Sequence, residues 1–229
     1  MSDIISESNM LKQLFSLYYE RRDFFLQLTL EHLWISGISM IMAAIIGLLL
    51  GLWISQYKRL SPYILGATNF IYTIPSIALF GFLIPISGIG DPTAIIALTI
   101  YALLPMVRNT YTGITGIDAE IIEAATAMGS TPWQLLVRIK LPLAFPVILT
   151  GLRTMVVMTI ALTGIAAFIG AGGLGVAIYR GITTNNITLT IAGSLLIALL
   201  ALVCDWLLGR YELFIQHKRH LLQKKQLPM

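Results

Sequence analysis

Residues 33–54 form a run of 22 positions without one Asp, Glu, Lys or Arg, and Trp34 and Trp53 stand at its two ends. About 20 apolar residues are what an α-helix needs to cross the hydrocarbon core of a bilayer. Tryptophan rings favour the interfaces on either side. A water-soluble fold can hold such a run only by burying it all round. Composition removes that option: 57% of the 229 residues are hydrophobic and 11% are charged, against about 25% charged in soluble domains. So few charges cannot cover a water-facing surface. The chain therefore reads as an all-α integral membrane protein.

Four more apolar runs place the remaining spans. Residues 62–90 are again free of charge, enough for one tilted span and a turn. Pro75 lies mid-run; a proline there removes the hydrogen bond to the carbonyl of Ile71 and predicts a kink. The freed carbonyl then needs a partner or a water-filled cavity. The glycines and proline of Ser87-Gly88-Ile89-Gly90-Asp91-Pro92 mark a turn. The expected spans are about 33–54, 63–86, 90–107, 146–169 and 187–208, in a single domain.

Residues 1–30 are polar, with Met10, Leu11, Leu14, Phe15 and Tyr18 on one helical face. They form either a helix lying on the membrane surface or a polar tail. Asp3, Glu7, Lys12, Glu20, Arg21, Arg22, Asp23 and Glu31 precede the first span, which is too long for the apolar region of a cleavable signal peptide.

Lys and Arg mark cytoplasmic segments. With five spans and the N-terminus outside, Lys58, Arg59, Arg108, Arg138, Lys140, Arg153, Arg210, Lys218, Arg219, Lys224 and Lys225 fall inside, 11 of the 15 basic residues. The opposite topology inverts the ratio. The polar segment 108–145 and the basic tail 210–229 are therefore expected in the cytoplasm.

Segment 108–145 carries its own helix punctuation. Asp118 is a good N-cap for a helix over about 119–128, and Gly129 sits where a left-handed residue ends one. Thr131, Pro132 and Gln134 compose a capping box with proline at the first helical position. Pro142 is expected to stop the second helix. The result is a rigid helix–turn–helix, with Ala124, Ala125, Thr126 and Ala127 giving its first helix a small-residue surface.

This segment also carries a resemblance. Glu123-Ala124-Ala125, three residues, Gly129, nine residues, Ile139, one residue, then Leu141-Pro142 resembles the EAA loop of binding-protein-dependent ABC importer permeases. The five-span plan is similar to that of the compact, MetI-like members. Residues 74–85 and 170–175 resemble the permeases of osmoprotectant importers for glycine betaine, carnitine and choline. Methionine-type permeases share the glycine string, so methionine or another small solute is the alternative. The resemblance implies a multi-pass permease of the bacterial cytoplasmic membrane. A separate ATPase subunit would receive Glu123, Ala124, Ala125, Gly129, Ile139, Leu141 and Pro142. An external substrate-binding protein would deliver solute, and a second permease subunit, identical or paralogous, would complete the path.

Other signals qualify this picture. Gly170, Gly172, Gly173 and Gly175 match G-x-G-x-x-G, but the string follows a membrane helix rather than a strand and no acid lies about 20 residues on. It reads as a glycine-rich turn near an external gate. No phosphate-cradling G-x-x-x-x-G-K-[ST] occurs, so the chain is not itself the ATPase. His32, His217 and His220 are scattered, Cys204 is the one cysteine, and basic residues cluster at span ends. These exclude a histidine metal site, an intrachain disulfide and nucleic-acid binding, and no cofactor is implied.

Arg153 and Asp205 are ionisable residues near the ends of the fourth and fifth spans. They form a structural pair, a gate, or two solvated ends. Tyr72, Phe80 and Phe82 either line a path for a quaternary ammonium group, beside the kink at Pro75, or simply pack. Two rival classes are a secondary transporter or channel, which needs mid-membrane charges or inverted repeats, and a membrane scaffold.

Overall fold

The computed structural model describes the backbone of residues 2–226 and the side chains of residues 10–214. His217, His220 and the tail residues Lys218, Arg219, Lys224 and Lys225 lie outside the described side chains. Among the described residues every regular element is helical. α1 spans Ser2–Glu20, α2 Arg22–Gln56, α3 Ser61–Thr73, α4 Ser76–Ser87 and α5 Asp91–Thr115. α6 (Ala119–Ala127) and the short α7 (Pro132–Gln134) lead through a π-helical segment, Leu135–Lys140, into α8 (Leu141–Ala166). α9 (Gly175–Thr183) and α10 (Ile187–Gln226) follow. Among the described residues, four helical stretches are long and apolar enough to cross a membrane: Arg22–Gln56, Asp91–Thr115, Pro132–Ile169 and Ile187–Phe214. The bent pair α3–α4 is a fifth candidate.

α5 is the central element, packed between α2 and α8 and touched by α3 and α4. Lipid tails are as apolar as leucine, so close van der Waals packing, rather than the hydrophobic effect, holds such helices together. Small residues make it possible. A Cβ at Gly47 would lie 2.7 Å from the Cβ of Met106, and one at Gly51 would lie 2.5 Å from that of Thr110. Across the opposite seam, a Cβ at Gly151 would lie 2.5 Å from the Cβ of Asn109. Around these contacts Ile35, Phe80, Leu98, Tyr101 and Ala166 fill one core cluster, and Ala43, Met106, Ala144 and Met155 another.

The structure departs from the sequence expectations at four places. First, residues 61–87 are not one kinked helix but two helices bent by 100°. Proline disfavours helical geometry at the preceding residue, and both Ile74 (ψ 127°) and Pro75 (ψ 135°) are extended. The carbonyl of Ile71 is not orphaned, because the Ile74 amide donates to it at 3.1 Å. The carbonyl of Ile74 accepts from the Tyr101 hydroxyl.

Second, α5 does not end at Arg108 but continues as helix to Thr115, into the 108–145 segment. Third, Pro142 does not stop a helix. The amide of Leu141 reaches back five residues to the carbonyl of Leu136. The wider π turn relieves the clash a proline ring makes with the carbonyl four residues before it. Chain from Pro132 to Ile169 is thus one helical rod.

Fourth, α2 begins at Arg22, well before residue 33, and takes in His32, which is fully buried. In the N-terminal segment, residues 2–20 form the helix α1. Leu14 of α1 is buried, and the Tyr18 hydroxyl donates to the Ala192 carbonyl of α10 at 2.8 Å.

Candidate functional site: a capped segment and a polar groove

α6 begins on Asp118, whose carboxylate accepts from the Glu120 amide at 3.1 Å. It ends in a left-handed turn. Gly129 has φ +83°, its amide donates to the Thr126 carbonyl at 2.9 Å, and the Ser130 amide donates to the Ala125 carbonyl at 3.2 Å. These two bonds satisfy carbonyls that a helix end leaves open. α7 opens on a complete capping box: the Gln134 amide donates to the Thr131 hydroxyl, and the Thr131 amide donates to the Gln134 side chain at 2.9 Å.

Within this segment Ala125 is buried, while Glu123, Ala124, Met128 and Gly129 are exposed, and no atom comes within 4 Å of a Cβ built on Gly129. Ile139 and Leu141 are half-buried and Pro142 is exposed, at the π-to-α junction. The seven residues therefore divide. Glu123 to Gly129 present an open helix face, and Ile139, Leu141 and Pro142 root that face in α8.

The ionisable residues of α8 and α10 meet. Arg153 donates to both carboxylate oxygens of Asp205, at 2.5 Å and 2.7 Å, and lies 3.5 Å from Glu212. This bidentate fork is the geometry in which guanidinium recognises carboxylate best. Arg153 thus joins two carboxylates, and Arg210 stands with them along α10. The pair forms a ridge between two open grooves. One, of about 560 Å³, is lined by Tyr72, Thr150, Arg153, Thr154, Met158 and Asp205. The other, of about 810 Å³, runs along α10 past Trp206 and Glu212.

The aromatic candidates separate. Tyr72 faces the first groove, its hydroxyl 3.1 Å from the Met158 sulfur and its ring edge-to-face with Tyr101. Phe80 is fully buried in the core, whereas Phe82 is exposed on α4 and Pro75 on the elbow. Thr150, Thr154 and Glu212 escaped the sequence reading. Their signal was a hydroxyl pair one helical turn apart in an apolar run, and an acid one to two turns beyond Asp205.

Gly170, Gly172, Gly173 and Gly175 form the turn between α8 and α9, with left-handed backbone at Gly170 and Gly173. Two acids not singled out from sequence hold it. Asp91 accepts from the Gly172 amide at 2.9 Å and Glu31 from the Gly173 amide at 3.1 Å.

An elbowed helix pair packed on three long apolar helices, with a capped two-helix excursion before the third, is the fold of MetI-type permeases. A chain in an inward-facing structure of the MetNI methionine ABC transporter superposes with TM-score 0.76 at 24% identity, over 86% of this chain and 98% of that one. A chain of an amino acid ABC transporter gives 0.72 at 19% identity, over 86% and 97%. These likenesses concern the fold alone.

The chain belongs to the family of binding-protein-dependent transport system inner membrane components, whose family model matches residues 25–215. It is 45% identical to the osmoprotectant import permease protein OsmW of Salmonella typhimurium, over 83% of this chain and 91% of that protein. It is 42% identical to the glycine betaine/carnitine/choline transport system permease protein OpuCD of Bacillus subtilis, over 88% and 89%. A further relative is the ergothioneine transport permease/ergothioneine binding protein EgtU of Helicobacter pylori, 44% identical over 74% of this chain and 31% of that protein.

Proposed function

We propose that this chain is the membrane-spanning permease subunit of an ABC importer that takes up a compatible solute of the glycine betaine, carnitine or choline type. It lies in the bacterial cytoplasmic membrane with five spans, its N-terminus outside and its C-terminus inside. It pairs with a second permease subunit, receives solute from an external binding protein, and draws on a separate ATPase. The exposed face Glu123–Gly129 docks on that ATPase. Displacement passes through the π-helical junction into α8, which carries the groove of Tyr72, Thr150 and Thr154. A quaternary ammonium group suits this groove, because the aromatic face of Tyr72 attracts a cation.

The observation that carries the proposal is the capped α6–α7 segment continuous with a span. A coupling part must move as a body, and capping and helical continuity make it one. Relatives named for glycine betaine, carnitine and choline support the solute class, and the permease/binding-protein chain EgtU supports the external partner.

The test is reconstitution with the ATPase and binding protein into proteoliposomes. ATP-dependent uptake of labelled glycine betaine, carnitine or choline, with substrate-stimulated ATP hydrolysis, is expected. Uptake of methionine in preference to these reassigns the solute. Uptake driven by an ion gradient without ATP identifies a secondary transporter, and absence of any substrate-stimulated hydrolysis favours the scaffold.

A further inference from the structure

α8 is held at its two ends by different things. Its N-terminal end is continuous with the capped segment. Its other end runs into the glycine turn, where α2 and α5 reach across to grip it. Asp91 and Glu31 take the two successive amides of Gly172 and Gly173. Successive amides beside a left-handed glycine form a concave nest that favours anions; here two carboxylates from two other helices fill it. The second oxygen of Glu31 is itself held by the Gln27 side-chain amide at 2.9 Å.

Beside Glu31, the Nε2 of His32 lies 3.0 Å from the Ile160 carbonyl of α8, and its ring packs so near Gly173 that a Cβ there would lie 3.1 Å from Nδ1. The Gly90 amide donates to the Ile169 carbonyl at 3.0 Å. Any motion of α8 along or about its axis must carry this end with it or release it.

We propose that Glu31 and Asp91 are positioning residues of the transport cycle: a two-carboxylate clamp on the glycine turn that holds the end of α8 farthest from the coupling segment and lets go of it in each cycle. The inference rests on the reading of the chain as a coupled permease. The bonds suit a releasable hold. Both acids keep access to solvent, Asp91 being exposed and Glu31 half-buried, so each can exchange an amide for water. A buried apolar contact has no such substitute. His32, fully buried, is the pivot rather than the latch.

The geometry allows the clamp to be locked. A Cβ at Gly172 would lie 3.5 Å from the Cβ of Glu31, within the range a disulfide spans, and Gly172 is not among the left-handed glycines. In a Cys204→Ser background, Glu31→Cys with Gly172→Cys is expected to crosslink under mild oxidation. In the assembled transporter, ATP-driven uptake should then fall by about tenfold or more and return on reduction.

Glu31→Ala with Asp91→Ala, without a crosslink, should raise ATP hydrolysis in the absence of binding protein about fivefold, as expected for a lost hydrogen bond that favoured one state. Glu31→Gln with Asp91→Asn keeps both acceptors and should stay near wild type. A purely structural contact would lower the yield of folded protein without changing that hydrolysis. Undiminished uptake by the oxidised double cysteine overturns the clamp, and so does failure of the pair to crosslink at all. If the unmodified transporter shows no ATP-driven uptake, the functional reading falls instead.

Discussion

Gly129 is where a single atom decides the geometry of the coupling segment. Its φ of +83° lies in the left-handed region, and both bonds that end α6 depend on it. A β-branched side chain is disfavoured there by about 1–3 kcal/mol. Space is not the obstacle, since nothing stands within 4 Å of the added Cβ; the backbone is. Gly129→Val should therefore tilt α6 against α7 while leaving the spans folded. The permease would still insert, but the ATPase should no longer co-purify and substrate should no longer stimulate hydrolysis. Glu123→Ala, on the exposed face, should weaken the same readout less. Wild-type behaviour of Gly129→Val in both assays would remove this segment from the mechanism. The left-handed glycine was legible from residue order alone, because helix caps are local. The partner of Arg153 was only one option among several until α8 and α10 were placed side by side.

Among the elements, the α2–α5 seam shows how the spans hold together. Gly47 and Gly51 stand one turn apart, and a Cβ on either would press into α5. Gly51→Val should push the helices apart at Thr110 and cost about 1–3 kcal/mol by overpacking. A lower thermal unfolding midpoint in detergent checks it; an unchanged midpoint would mean that the seam is looser than the contacts indicate. The G-x-x-x-G signal was present in the sequence, but it names no partner helix. The elbow at Ile74 and Pro75 was half legible: proline announced a break, but not its 100° angle nor the Tyr101 hydroxyl of α5 that caps the Ile74 carbonyl. The reverse happened at Pro142, where a proline expected to end a helix is absorbed by a π turn.

For the whole molecule, the proposed topology places the capped segment in the cytoplasm. Maleimide labelling of Ser130→Cys in a Cys204→Ser background should require permeabilised cells. Labelling from outside intact cells would invert the topology and leave the coupling reading without a site of action.

Residue order alone specifies the class of solvent, the number and rough place of the apolar runs, and the capped segment with its family pattern. Each depends on neighbours in the chain: charge-free length, a cap three residues from its partner, a glycine after a helix. Tertiary structure decided what distant segments do to one another. It brought Arg153 to Asp205 and Glu212, turned Tyr72 toward a groove while burying Phe80, and set Glu31 and Asp91 on the amides of the glycine turn. The Glu31 and Gly173 residues are 142 positions apart. No periodicity records such a pairing, because it is fixed only when glycines let the helices approach and α5 sets the register of both its neighbours.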